Sequence, residues 1–250
     1  MGDTVVRPPS EEKAPADSFL NRALNIFISP GRAFDSIIQR PDFIAPLILT
    51  IVGSGVFIEA IIQKIGVTRI IRHAIEAGGK AQQLSPEQLD QTVNRAAAFT
   101  AISMRVFGTL GIPIFLLIIA AAGLLIANVI FGGSAKFKTC FAVVCYSNLV
   151  LQLAVVLGLI MVFMGDPEQF NPENPTPTTL GFFLNPREIS KVVYVLASSF
   201  DILRVWFIAL ASMGISRATE KRVGTTAIFL AYLGLWILIV LGHAGMAAIM

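Results

Sequence analysis

Five apolar runs set the limits on what this chain can fold into. Each contains at least the ~20 residues that an α-helix needs to cross a ~30 Å hydrocarbon core. The composition of the whole chain is also that of a membrane protein: 55% of its 250 residues are hydrophobic, 14% are charged and its mean hydropathy is +0.74. We therefore predict an all-α polytopic membrane protein, with a five-helix transmembrane bundle formed by residues 42–250. The spans are expected at about 43–62, 107–131, 141–164, 192–215 and 225–249.

The segment before the first run divides in two. Residues 1–17 are rich in Pro, Glu and Lys and lack hydrophobic periodicity, which predicts a disordered cytoplasmic tail. In residues 18–41 apolar side chains recur at helical spacing, and Ser29-Pro30 interrupts them where a Ser cap and a first-position Pro would begin a second helix. Two interpretations stay open: an amphipathic helix pair lying in the membrane interface, or helices packed on the cytoplasmic ends of the spans.

Basic residues predict the orientation. With the N-terminus inside, the inner segments hold ten Lys and Arg residues, whereas the outer loop before the fourth span holds only Arg187 and Lys191. The first loop, 63–106, carries six more, which three acidic residues partly offset. We predict a multi-pass cell-membrane protein with its N-terminus in the cytoplasm and its C-terminus outside.

The two longer loops have different patterns. In the first loop, apolar spacing, a Gly78-Gly79 break and a Ser85-Pro86 cap predict a helical hairpin over the outer surface. The loop at 166–186 contains five prolines and three acidic residues, which predicts an extended, solvated segment.

Several function classes lack their usual residues. Cys140 and Cys145 are five residues apart on a predicted helix and point ~140° apart, so they read as small apolar filler rather than a disulfide or metal site. His73 and His243 have no nucleophile or carboxylate at helical spacing, and no phosphate loop or zinc pattern occurs. We expect no enzymatic activity and no cofactor. No basic run suggests a nucleic-acid partner.

Polar side chains inside the apolar runs are the candidate functional residues, because they are costly in lipid. Gln152, Asp201 and Arg204 are predicted near the mid-membrane level, and Asp201 and Arg204, at i and i+3, can pair. Glu59 and His243 form a second predicted pair nearer the outer face, if their helices are neighbours. Two interpretations stay open: an ion, proton or headgroup path, or polar contacts that hold helices together.

Short motifs are spread along the chain: Ser29-Pro30 with Phe34, Gly132-Gly133, Tyr146-Ser147, Trp206 and Gly214-Ile215. Together they resemble the bacterial branch of the Yip (Ypt-interacting protein) domain family of five-span membrane proteins. The eukaryotic branch carries Asp-Leu-Tyr-Gly-Pro and Gly-Tyr stretches, of which this chain keeps only Asp42, Pro46 and Tyr146, so Rab-GTPase binding is not implied. The resemblance implies a non-enzymatic protein of the bacterial inner membrane that acts through partners or by shaping the bilayer. The residues that carry it are Ser29, Pro30, Phe34, Asp42, Pro46, Gly132, Gly133, Tyr146, Trp206 and Gly214.

Two hypotheses about function follow. In the first, the region 18–41 and the basic inner loops engage anionic membrane lipids together with a protein partner or a second copy of the chain. In the second, a small carrier or lipid-translocating protein uses Gln152, Asp201 and Arg204. An intramembrane hydrolase is disfavoured because no nucleophile has a base beside it.

Overall fold

The structure is a computed structural model that describes residues 17–77, 84–167, 170–186 and 188–249. Almost all of the tail predicted at 1–17 and the Gly78-Gly79 break lie outside these residues. Within them the chain is helical and forms no strand. The α-helices are α1 (Phe19–Ile28), α2 (Pro30–Gln39), α3 (Ile44–Lys64), α4 (Val67–Ala77), α5 (Pro86–Leu125), α6 (Phe137–Ser147), α7 (Gln152–Met164), α8 (Lys191–Ser199), α9 (Ile202–Ala218) and α10 (Thr225–Ile249).

Four helical segments of the described chain are long and apolar enough to cross a membrane. They are Ile44–Lys64, Pro86–Ile130, Phe137–Met164 and Thr225–Ala248. The second consists of α5 and a π-helical turn, Ile126–Ile130, and the third joins α6 to α7 through a 3-10 turn, Asn148–Leu151. These segments coincide with four of the five predicted spans, so the all-α membrane class is confirmed.

The span predicted at 192–215 is not one helix. The chain is extended at Phe200 and Asp201, and there it pairs with the preceding loop: Leu180 N–H donates to Phe200 O (3.1 Å) and Ile202 N–H donates to Thr178 O (3.2 Å). Asp201 then caps α9, because its Oδ1 accepts a hydrogen bond from Leu203 N–H at 2.9 Å. A hydropathy pattern does not show this break, since both flanking segments are apolar.

The first loop forms the predicted hairpin from α4 and the start of α5. Ser85 and Gln88 form a complete capping box at the start of α5, as predicted. Arg72 of α4 and Asp90 of α5 form a 2.6 Å ion pair. The second arm does not end before the membrane: α5 is 40 residues long and continues through Pro113 into the span.

Of the loop predicted to be extended and solvated at 166–186, residues 170–186 instead pack against α8. Asn174 is buried, and its Nδ2 donates to the Tyr194 hydroxyl (2.7 Å) and to Ser198 Oγ (2.8 Å). Thr179 Oγ1 in turn donates to Asn174 Oδ1 at 2.8 Å. The prolines keep the loop irregular, but its amide and hydroxyl groups are satisfied internally, so it can be buried.

The core of the molecule is α6. Every residue from Thr139 to Ser147 is buried, enclosed by α1, α2, α3, α5 and α9. At one end of the bundle α1 packs on α2, α2 lies beside the loop 219–224, and that loop contacts the loop 131–136; we call this the cap end. There, Gly133 lies against Thr219 and Val223. Arg217 Nε lies 3.2 Å from Asp35 Oδ1 of α2.

Candidate functional site

Helices α1 and α2 are docked on the bundle by their apolar faces. Ile26, Phe34 and Ile37 are fully buried against α6 and α9. Pro30 is the first residue of α2, as predicted, whereas the Ser29 side chain makes no capping hydrogen bond. The pair therefore packs on the ends of other helices, which is one of the two arrangements left open by the sequence.

The outer face of α1 remains apolar and uncovered. Leu20, Leu24 and Ile28 are 68%, 59% and 76% exposed. Phe27 packs edge-to-face on Trp206 of α9, with ring centroids 5.8 Å apart. Since one face of α1 contacts the bundle and the other is apolar, α1 has the character of a helix between protein and lipid.

Arg22 is the exception on the buried face of α1. It is only 3% exposed, and its guanidinium donates from Nε to Ser36 Oγ (3.1 Å) and from Nη1 to the Arg40 carbonyl (3.0 Å). It thereby ties α1 to the end of α2. Helical spacing with Phe19 and Ile26 places Arg22 on this buried face, although its charge alone would favour the surface.

Beside Arg22 lies a cavity of about 910 Å³, which we call the Tyr146 pocket. It lies between α1, the end of α2, the start of α3 and α6. Phe43, just before α3, contacts Phe141 of α6 with ring centroids 4.9 Å apart. Because Phe43 also lines the pocket, the pocket lies at the level where the first span begins. Its lining residues are Asp17, Ser18, Phe19, Arg22, Gln39, Arg40, Pro41, Asp42, Phe43, Ile44, Lys138 and Tyr146.

The Tyr146 hydroxyl is the unusual atom of this pocket. The residue is fully buried, yet its hydroxyl has no hydrogen-bond partner. Arg22 and Asp42 line the same pocket, but the Arg22 guanidinium donates to Ser36 and to the Arg40 carbonyl, and no hydrogen bond joins it to the Tyr146 hydroxyl. An unpaired buried hydroxyl is costly, so this one keeps an unused capacity for a hydrogen bond.

Three cations and two carboxylates line the pocket. Arg40 and Lys138 make no ion pair with any described residue. Asp42 Oδ1 accepts a hydrogen bond from Ile44 N–H at 3.1 Å, at the entry to α3, and Asp17 is exposed at the rim. The pocket therefore carries an excess of positive charge, together with hydrogen-bond donors that lack acceptors.

Two of the motif glycines have clear packing roles. A Cβ on Gly214 would lie 2.4 Å from Val143 Cγ1 and 2.8 Å from the Phe34 ring, so α9 approaches α6 and α2 closely at this point. Gly132 has φ +67° and begins the turn after the π-helical segment. Asn128 holds this turn, since its side chain bonds both Ala135 N (2.8 Å) and Ala135 O (2.9 Å).

The predicted polar cluster is not assembled among the described residues. Gln152 faces the first span, where a Cβ on Gly53 would lie 2.6 Å from Gln152 Oε1. Asp201 caps α9, and no ion pair joins it to Arg204. The expected Asp201–Arg204 contact is therefore wrong: as the residue just before the helix, Asp201 turns to backbone N–H groups.

The predicted outer pair is also divided. The Glu59 carboxylate accepts two hydrogen bonds from Arg105 of α5, at 2.9 and 3.0 Å. His243 instead lines an apolar groove of about 310 Å³ with Arg204, Phe207 and Trp236, between α5, α9 and α10. Glu59 thus joins α3 to α5 rather than to α10.

The remaining side chains give no sign of a metal centre. The described residues hold no group of three or more His, Cys, Asp or Glu side chains close enough to bind an ion. Cys140 and Cys145 are free and fully buried in α6, in keeping with small packing residues.

The family model described as Yip1 domain matches residues 24–243. The match extends from α1 to α10 and includes all ten motif residues. The domain family predicted from those motifs is confirmed. No curated protein and no solved structure matches the chain significantly.

Proposed function

Since the chain belongs to the Yip1 domain family, we propose that it is a non-enzymatic, multi-pass membrane protein that acts on its membrane by contact with lipids, with α1 and the basic cap end as its lipid-contacting surface. A protein partner or a second copy would join it there. The observation that carries this proposal is the two-faced packing of α1, which buries Arg22 and Ile26 and exposes Leu20, Leu24 and Ile28.

The charge distribution supports an anionic membrane surface as the target. The cap-end segments 17–43, 131–139 and 216–226 hold eight Lys and Arg residues against four Asp and Glu residues. The segments at the opposite end, 59–105 and 165–191, hold eight of each sign. Positive charge concentrates on cytoplasmic segments and attracts anionic headgroups, so the cap end is proposed to face the cytoplasm.

The proposed topology has five crossings in a bacterial inner membrane, with the N-terminus inside and the C-terminus outside. The fourth crossing would consist of α8 and α9 in series, both of which pack along α10. Such broken helices are tolerated where the interrupted backbone is buried in protein. At Phe200 and Asp201 the freed backbone groups pair with residues 178–180.

The immersion of α1 can be measured with a nitroxide at Leu24→Cys in the full-length protein in anionic bilayers. The matched site is Arg32→Cys, which is also exposed but lies on α2, outside the Tyr146 pocket. Power saturation should show the Leu24 label accessible to oxygen and protected from a water-soluble nickel complex, with the reverse at position 32. Because Cys140 and Cys145 are fully buried, the unsubstituted chain serves as the labelling blank. Equal nickel accessibility at both sites would contradict the proposal.

A further inference from the structure

We propose that the Tyr146 pocket binds the phosphate group of an anionic phospholipid, whose headgroup carries no cation beside that phosphate. This inference rests on the proposed function, because it requires the cap end to face an anionic leaflet. It assigns a ligand class to a cavity that unites two motif residues, Asp42 and Tyr146, with cations from three separate segments.

The pocket has a surplus of hydrogen-bond donors. The Tyr146 hydroxyl, the Lys138 ammonium and the Arg40 guanidinium have no acceptor or ion-pair partner among the described residues. A phosphate offers several acceptor oxygens and forms short, charge-assisted hydrogen bonds with such donors. Asp42, one of two carboxylates present, is already engaged by Ile44 N–H.

Arg22 and Tyr146 hold fixed positions in the pocket. Arg22 is held by Ser36 and by the Arg40 carbonyl, so its position does not depend on a ligand. Tyr146 belongs to α6, the most enclosed helix of the molecule, and its ring contacts Phe19 with centroids 6.1 Å apart. Fixed donors lose little entropy on binding, which favours a specific site over diffuse attraction.

The position of the pocket favours a lipid as the source of the phosphate. The pocket lies where the first span begins, and its wall includes Phe19, Phe43 and Ile44, the last of which is 60% exposed. Headgroup phosphates are located at this level of a bilayer, with glycerol and acyl chains beside the apolar wall. A soluble phosphate would use the polar half of the pocket only. A choline headgroup would place its positively charged ammonium near the cations Arg40 and Lys138, which disfavours its binding.

The test uses full-length protein in detergent, titrated with phosphatidylglycerol or phosphatidylcholine and followed by native mass spectrometry. Lys138→Gln should weaken phosphatidylglycerol binding about tenfold, the scale of one charge-assisted hydrogen bond. The matched control is Lys136→Gln, which removes the same charge two residues away, outside the pocket. Equal effects of the two substitutions, or equal binding of the two lipids, would overturn the proposal.

Tyr146→Phe separates binding from folding. The hydroxyl has no partner within the chain, so its removal should leave the thermal unfolding temperature unchanged or slightly raised. It should still weaken phosphatidylglycerol binding about threefold to tenfold. Unchanged lipid affinity in this variant would contradict the assignment of the hydroxyl as a ligand.

An arm with inorganic phosphate distinguishes the two sources. Binding of phosphate in lipid-free detergent with the same dependence on Lys138 and Tyr146 would keep the phosphate site but overturn the lipid as its source. Failure of the pocket is also distinct from failure of the proposed function. If the Leu24 label is immersed but the substitutions leave lipid binding unchanged, only the proposed pocket is wrong. If the Leu24 label is exposed to water, the proposed lipid surface is wrong.

Discussion

At the scale of single residues, close helix contacts rest on the absence of side chains. Gly214 lets α9 approach Val143 of α6 and Phe34 of α2 within van der Waals distance. Gly234, in the middle of α10, has no neighbouring atom within 4 Å of a built Cβ. The two glycines lie in similar apolar helices but have opposite surroundings.

Gly214→Ala should therefore destabilise the protein by about 1–3 kcal/mol, because the new methyl group overpacks the contact. Gly234→Ala, the control, should be neutral or stabilising by up to about 1 kcal/mol, since Ala favours helix formation. Thermal unfolding in detergent measures both. Adding Val143→Ala to Gly214→Ala should recover part of the loss. A Gly214→Ala protein as stable as the parent would contradict the close contact.

The pocket could not be predicted at this scale. Arg22 precedes Lys138 and Tyr146 by more than a hundred residues in the sequence. Each of the three has an ordinary local reason to be present. Their convergence depends on α1 folding back over α6. The unpaired hydroxyl is a property of three-dimensional packing, which residue type and spacing do not encode.

At the scale of elements, the break between α8 and α9 is the main departure from expectation. Asp201 combines three roles that a hydropathy pattern hides: it ends an extended pair of residues, pairs with Thr179 and caps α9. The loop at 171–186 supplies the complementary backbone and is itself held by Asn174. This makes the loop and the break one structural unit.

Asp201→Ala should lower stability by about 1 kcal/mol through loss of the cap, whereas Asp201→Asn should stay within a few tenths, because Asn caps equally well. Chemical unfolding in detergent micelles compares the two. If Asn proved as damaging as Ala, the carboxylate charge itself would be required for stability, and the capping role would be wrong.

The elements that could be predicted are those with strong local signals. Four apolar runs, the Ser85 capping box and Pro30 at the start of α2 all came from local patterns. Helix α5 is longer than the span predicted at 107–131 because its polar first half is also helical and runs without a break into the apolar second half. The burial of residues 170–186 could not be predicted, because it depends on partners in α8.

At the scale of the whole molecule, the two ends differ in charge and in structure. The cap end is basic and closed by α1 and α2, while the opposite end is electrically balanced and covered by α4 and the loop before α8. If α8 and α9 together cross the membrane, the difference in charge between the two ends sets the direction of every crossing.

Impermeant maleimide labelling of intact cells tests that topology. Thr68→Cys and Glu188→Cys, at the opposite end, should react, whereas Ser134→Cys and Lys221→Cys, in the cap-end loops, should react only after the cells are opened. All four positions are exposed in the structure. Labelling of positions 188 and 221 from the same side would show that α8 and α9 do not cross.

The enclosure of α6 also governs the order of biogenesis. Helices α1 and α2 leave the ribosome first, but the surface on which they dock includes α9, which ends about 180 residues after α2. At about 5–20 residues per second, this is a wait of roughly 10–35 s. During that interval the docking face of α1 and α2 lacks α9, so the membrane affinity proposed for the N-terminal helices would serve the nascent chain before it serves the finished protein.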